Sequence, residues 1–248
     1  MNKLLVASTA LVALGLGTPA ALAAEMALPA PVAAPVYTNW SGCHAGGLAG
    51  ASWGTSNRTS VNNPNLGPSA SGLSITGDFN LSGFTGGFDL GCDWQAGVWV
   101  FGIEGDWSAT NKSGQAFGHA PFNPAGQHET QERWVATVRG RLGFTWWDRS
   151  FLYVTGGGAW VKVDDSDWNS TTGTVATGFQ ISTTKSGYVV GVGMEYALGY
   201  GWSARSEYLY EDFGTHSVPN TSASFSGFVS ETRLYDHVVR AGLNYKFW

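Results

Sequence analysis

The stretch WVATVRGRLGFTW, Trp134 to Trp146, sorts its side chains by parity. Trp134, Ala136, Val138, Leu142, Phe144 and Trp146 share one face of an extended chain, with Thr137, Arg139, Arg141 and Thr145 on the other. Side chains alternate across a β-strand, so this segment has one greasy wall and one charged wall. The sorting recurs. Trp99, Phe101, Ile103 and Trp107 oppose Glu104 and Asp106, and Tyr188, Val190, Val192, Met194, Tyr196 and Leu198 oppose Glu195 and small residues. Ala204, Tyr208 and Tyr210 oppose Arg205, Glu207 and Glu211. Val239, Ala241, Leu243, Tyr245 and Phe247 oppose Arg240, Asn244 and Lys246. Two folds accept such strands: a soluble β-protein with the apolar wall inside, or a membrane barrel with it outside.

Connection lengths favour the barrel. Eight strand-like segments are read at Trp40 to Trp53, Leu81 to Trp94, Val98 to Thr110, Arg133 to Trp146, Phe151 to Val163, Ser186 to Leu198, Trp202 to Phe213 and Arg233 to Trp248. Long polar connections (54 to 80, 111 to 132, 164 to 185, 214 to 232) alternate with short ones at 95 to 97, 147 to 149 and 199 to 201. Bacterial outer-membrane barrels join their strands by short periplasmic turns and longer extracellular loops. Trp99, Trp107, Trp134, Trp146, Tyr196, Trp202, Tyr208, Tyr210 and Phe247 crowd toward strand ends, where aromatic girdles meet the two membrane boundaries.

The start of the chain agrees. Lys3, the apolar run Leu4 to Leu16 and the small-residue motif Ala21-Leu22-Ala23 form a secretory signal, with cleavage expected at Ala23 or Ala24. Residues 25 to 39, with Pro29, Pro31 and Pro35, read as an extended tether, and the barrel is expected from 40 to 248. Only 12% of the 248 residues are charged, and 35 glycines and 12 tryptophans suit strands and turns better than helices. The net charge of −5 argues against a nucleic-acid partner.

The expected fold is therefore all-β, an eight-stranded antiparallel transmembrane β-barrel. Eight strands enclose a lumen only wide enough for side chains to fill. Glu104, Asp106, Arg139, Arg141, Glu195, Arg205, Glu207, Arg240 and Lys246 are expected to point inward and pair. Their nearly balanced charge suits a packed structural interior, and a narrow charge-gated channel for ions or small solutes is the alternative. A wide diffusion pore is disfavoured by strand number.

Several motifs carry a resemblance. NWSGCHAGGLAGASWG (39 to 54), RGRLGF (139 to 144), YVTGGGAW (153 to 160), GVGMEYALGYGWSARSEYLYEDFG (191 to 214) and VVRAGLNYKF (238 to 247) resemble strands of the small porin-like outer-membrane β-barrel family of alphaproteobacteria. The resemblance covers residues 39 to 248 apart from the loops. It implies an outer-membrane location, a role in envelope integrity and surface contacts, and, as in some members, haemin binding by the long loops. Cys43, His44 and Cys92 depart from the family's usual aromatics. If the first two strands form a hairpin ending near Trp40 and Trp94, Cys43 and Cys92 fall nearly opposite each other, and a disulfide is expected. Two separate thiols, buried or facing lipid, are the alternative.

Catalytic and ligand motifs are sparse. His216-Ser217 are adjacent and diverge if extended, and His237 has no serine two positions on, so no enzyme is expected. DDSDWNSTTG resembles a calcium loop through Asp165, Asp167 and Asn169, but Ser170 and Ala176 stand where glycine and glutamate are needed. His119 and His128 share one long connection as weak candidates for haemin or a metal. No cofactor or metal is expected. The expected partners are outer-membrane lipid and lipopolysaccharide, and the barrel-assembly machinery, which would read Tyr245, Phe247 or Trp248; the protein is expected to be a monomer.

Overall fold

The computed structural model describes residues 38–63, 66–122, 124–169, 174–219 and 229–248, so the export signal and the tether as far as residue 37 lie outside the described residues. Among the described residues nine strands follow one another: β1 (Gly42–Asn62), β2 (Ser74–Ala96), β3 (Trp99–Thr110), β4 (Ser113–Phe117), β5 (Gly126–Trp146), β6 (Ser150–Asn169), β7 (Thr174–Gly199), β8 (Trp202–Pro219) and β9 (Val229–Lys246). Every pairing is antiparallel, and β1 pairs with both β2 and β9, which closes the sheet into a ring. Across the band where all strands pair, closure removes the open edges that would otherwise invite pairing with another chain; beyond it, among the described residues, 174–187 of β7 have no partner on β8.

Among the described residues, nine strand segments stand where eight strands were expected, and two of the nine follow a single course. β3 pairs with β5 from Trp99 to Ala109, and β4 resumes on β5 from Ser113 to Phe117, so β3 and β4 share one course interrupted at residues 111 and 112. The interruption has a physical use, since it turns the Lys112 side chain into the lumen. A five-residue polar strand such as SGQAF has no apolar alternation to betray it in the sequence.

The long connections are also revised. Much of 54 to 80, 164 to 185 and 214 to 232 is ladder: β1 runs on to Asn62, β6 to Asn169 and β8 to Pro219. Backbone pairing needs only amide and carbonyl groups, so threonine and serine extend a hairpin as readily as valine once neither face must be apolar. β7 has 26 residues, where about ten tilted residues suffice to cross a bilayer. At the opposite end the turns are tight. Tyr200 and Gly201 between β7 and β8 both take positive φ (54° and 83°), the two-residue turn whose twist suits a hairpin.

The ring decides which wall faces out. Ile103, Val138 and Val192 are 60%, 61% and 53% exposed, whereas Arg139 and Glu104 are 1% and 3% exposed. This inverts the arrangement of a water-soluble protein and makes the outer wall a lipid-facing surface. On β7 the outward apolar run from Tyr188 to Leu198 is about ten residues of tilted strand, or ~25 Å of height. Aromatics flank the band. Trp99 packs on Phe144 and Trp202 on Tyr245 at the turn end, with ring centroids 6.3 and 5.1 Å apart. Toward the hairpins, Trp53, Tyr208 and Tyr210 surround His237.

Candidate functional site

The lumen is packed in tiers because charged and apolar residues alternate at inward positions. β8 presents Glu207, Leu209, Glu211 and Phe213 in succession, and β9 presents Arg240, Val238, Asp236 and Leu234 as it runs back beside it. At the turn end, Trp40, Val100, Phe151 and Tyr153 form an apolar plug, and the Arg141 guanidinium lies over the Phe151 and Tyr153 rings at 5.8 and 5.2 Å. Gly193 makes room for this plug: a Cβ there would collide with the Tyr153 ring.

Above the plug sits the largest charge network. Arg139 pairs with Glu104, with Asp106 at 3.0 Å and with Glu207 at 3.4 Å. Arg141 pairs with Asp93, with Glu104 at 3.1 Å and with Glu195 at 3.4 Å. Arg205 bridges Asp89 at 3.1 Å and Glu104, and Arg240 bridges Asp106 and Glu207, each at 2.8 Å. Tyr153 donates its hydroxyl to Glu207 at 2.7 Å, Asn244 donates to Glu195 at 3.3 Å, and Thr137 donates to Asp106. Each carboxylate thus has a cation or donor, the condition under which buried charge is tolerated.

Of the nine residues expected to pair in the lumen, eight meet in this network. Lys246 does not. Its ammonium leaves the lumen and donates to the Asn39 carbonyl at 2.5 Å, holding the residues before β1 against the barrel end. Three members were missed: His44, Asp89 and Asp93. Parity would have found Asp89 and Asp93, which oppose the outward Phe88, Leu90 and Trp94 on β2.

Two further tiers were also missed. Lys112 binds Glu132 at 2.8 Å and Asp236 at 2.5 Å, and Glu211 is buried beside them. A cavity of about 20 Å³ separates this cluster from Asp106 and Arg240, room for about one water. Nearer the hairpin tips, Arg58 binds Asp167 at 2.7 Å, His128 Nδ1 lies 2.6 Å from the same carboxylate, and Thr130 donates to Asp165 at 2.7 Å. Burial pushes the Asp167 carboxyl up, but His128 and the Arg58 charge outweigh it and hold the group below the usual aspartate range.

These contacts revise the remaining candidates. Asp165 and Asp167 lie in strand β6 and spend their oxygens on Thr130, Arg58 and His128, so the acidic stretch is a ladder and not a calcium loop; the side chain of Asn169 lies outside the described residues. His128 belongs to β5, and His119 lies beyond β4. His216 directs Nε2 at the Phe213 carbonyl, and His237 lies on the outer wall 2.7 Å from the Tyr208 hydroxyl. Cys43 and Cys92 are direct partners of β1 and β2, and the structure joins them in a disulfide on the outward parity. Tyr245, Phe247 and Trp248 are exposed, and the Trp248 carbonyl accepts from the Cys43 amide at 2.8 Å.

A closed antiparallel ring with an apolar outside and an ion-paired inside defines a transmembrane β-barrel. The chain matches the family described as outer membrane protein beta-barrel domain over residues 20–247. It is 36% identical over 223 residues to the 31 kDa outer-membrane immunogenic protein of Brucella melitensis, covering 88% of each chain. It is 32% identical over 173 residues to the 22 kDa outer membrane protein of Rhizobium leguminosarum, covering 68% of this chain and 69% of that one. The protein belongs to this outer-membrane β-barrel family, as its strand motifs implied, and its location is the outer membrane. Among solved structures, the outer membrane protein OprG from Pseudomonas aeruginosa is similar at a TM-score of 0.47 and 12% identity, over 84% of this chain and 97% of that one.

Proposed function

We propose that the protein is a structural, surface-exposed barrel that supports the envelope and presents its hairpins for contacts outside the cell, rather than a channel or an enzyme. The observation that carries this reading is the filled lumen. The turn-end plug, the arginine network and the Lys112 cluster succeed one another along the axis, and about 20 Å³ is open between the last two. An ion crossing would have to part several buried ion pairs at once, each held by more than one partner.

Orientation follows from the same chemistry. The tight-turn end, with both flanks of the ring, faces the periplasm, and the extended hairpins rise from the outer leaflet into lipopolysaccharide and the medium. Tyr245 and Phe247, outward at the turn end, are the surface offered to the assembly machinery. The barrel is a monomer in this reading, because within the membrane band the described residues leave no strand edge to share. No reaction is assigned: His216 and His237 are directed at a backbone carbonyl and a tyrosine. Haemin is likewise not assigned, since His128 is committed to Asp167 and Arg58.

Planar-bilayer recording of the refolded full chain tests the reading. Silent membranes, with folding verified by heat-modifiable gel mobility, are expected. Regular small conductance steps would overturn it in favour of a narrow channel.

A further inference from the structure

We propose that His44, Asp89 and Glu104 form a binding site for one divalent transition-metal ion, reached from the turn end of the barrel. The three residues come from β1, β2 and β3, so no spacing along the chain announces them. Their donor atoms lie within 4.8 Å of one another, all three residues being buried.

Distances carry the argument. His44 Nε2 lies 3.5 Å from Asp89 Oδ2 and 3.5 Å from Glu104 Oε2, and it makes no hydrogen bond. That separation is long for hydrogen bonding, but it matches the edge of a metal tetrahedron, since bonds of ~2.0–2.2 Å at tetrahedral angles put donors ~3.3–3.6 Å apart. Asp89 is 1% exposed, and while its Oδ1 faces Arg205 at 3.1 Å, its Oδ2, the oxygen toward His44, makes no hydrogen bond. Asp93 lies behind the ring, 3.6 Å from His44 Nδ1, where a carboxylate would orient the imidazole that ligates through its other nitrogen.

Charge and access agree with a dication. The surrounding network sets six carboxylates (Asp89, Asp93, Glu104, Asp106, Glu195, Glu207) against four guanidiniums, an excess of two negative charges when His44 is the neutral ligand that a metal requires. Glu104 Oε2, the oxygen nearest His44, also faces Arg141 and Arg205, while Oε1 faces Arg139 and keeps an acceptor site, so an ion at this carboxylate would share it with the guanidiniums. A vestibule of about 330 Å³ at the turn end is lined by Trp40, His44, Asp93 and Glu195, with Arg149 and Lys246 also on its wall, so His44 is the one ligand that reaches it. One imidazole with two carboxylates suits zinc or a similar first-row ion better than calcium, which takes oxygen ligands.

The test uses the refolded full chain in detergent, freed of metal by a chelator. Calorimetric titration with Zn²⁺ and visible spectra with Co²⁺ are compared for wild type, His44→Phe, Asp89→Asn and the outer-wall control His237→Ala. One equivalent is expected to bind wild type and the control with tetrahedral Co²⁺ bands, and at least tenfold more weakly to the two lumen variants. If His44→Phe fails the gel-mobility check for folding, His44→Gln replaces it. Absence of stoichiometric binding to wild type, or binding retained when His44 is replaced, overturns the site.

Discussion

The arginine network and the Lys112 cluster are both buried in one lumen, yet they solve the same electrostatic problem differently. In the first, Glu104 faces three arginines, and Asp106 and Glu207 each face Arg139 and Arg240. In the second, Lys112 is, among the described residues, the one cation within ion-pair distance of Glu132 and Asp236. Redundancy spreads the loss of any one partner over the rest, whereas a sole counter-ion concentrates it.

Three substitutions sharpen that contrast. Lys112→Leu leaves two carboxylates buried and unpaired, and an unfolding cost of about 3–5 kcal/mol is expected, read as a fall in the urea midpoint of the barrel in lipid vesicles. Arg139→Leu is expected to cost less, about 1–3 kcal/mol by the same measurement, because Arg141, Arg205 and Arg240 still hold its three partners. Equal losses in the two variants would remove the distinction between the tiers. Arg133→Ala deletes a 2.7 Å pair with Asp164 on the exposed outer side of a hairpin, the arginine side chain being 53% exposed. A change below about 0.5–1 kcal/mol is expected there, and a larger one would show that the hairpins contribute to barrel stability through their surface charges.

The arginine network was partly legible in the sequence, and the Lys112 cluster was not. Arg139, Arg141, Glu104 and Glu207 sit on strands whose other parity is tryptophan, valine and tyrosine, so the apolar face marked the charged one. Glu132 and Lys112 sit where that marking ends: the register shifts between Glu132 and Trp134, and β3 breaks before Lys112. A bulge changes the parity that strand reading depends on. Arg58, Asp165 and Asp167 were obscured differently, because the hairpins beyond the band carry polar residues on both faces and look like loops.

What the sequence determined by itself is the two-faced character of the strands where they cross the membrane band, their order and the tight turns between them, since these depend on local alternation and turn chemistry. The family motifs added the outer-membrane location. Alternation is unchanged when a sheet is turned inside out, so it left open which face is inside; connection lengths and aromatic positions pointed the charged face inward, and the closed ring decided it. It also decided which charges meet. Glu104 and Arg205 are 101 residues apart and Asp106 and Arg240 are 134, and no spacing rule reaches across a lumen whose width is set by the number and tilt of the strands around it.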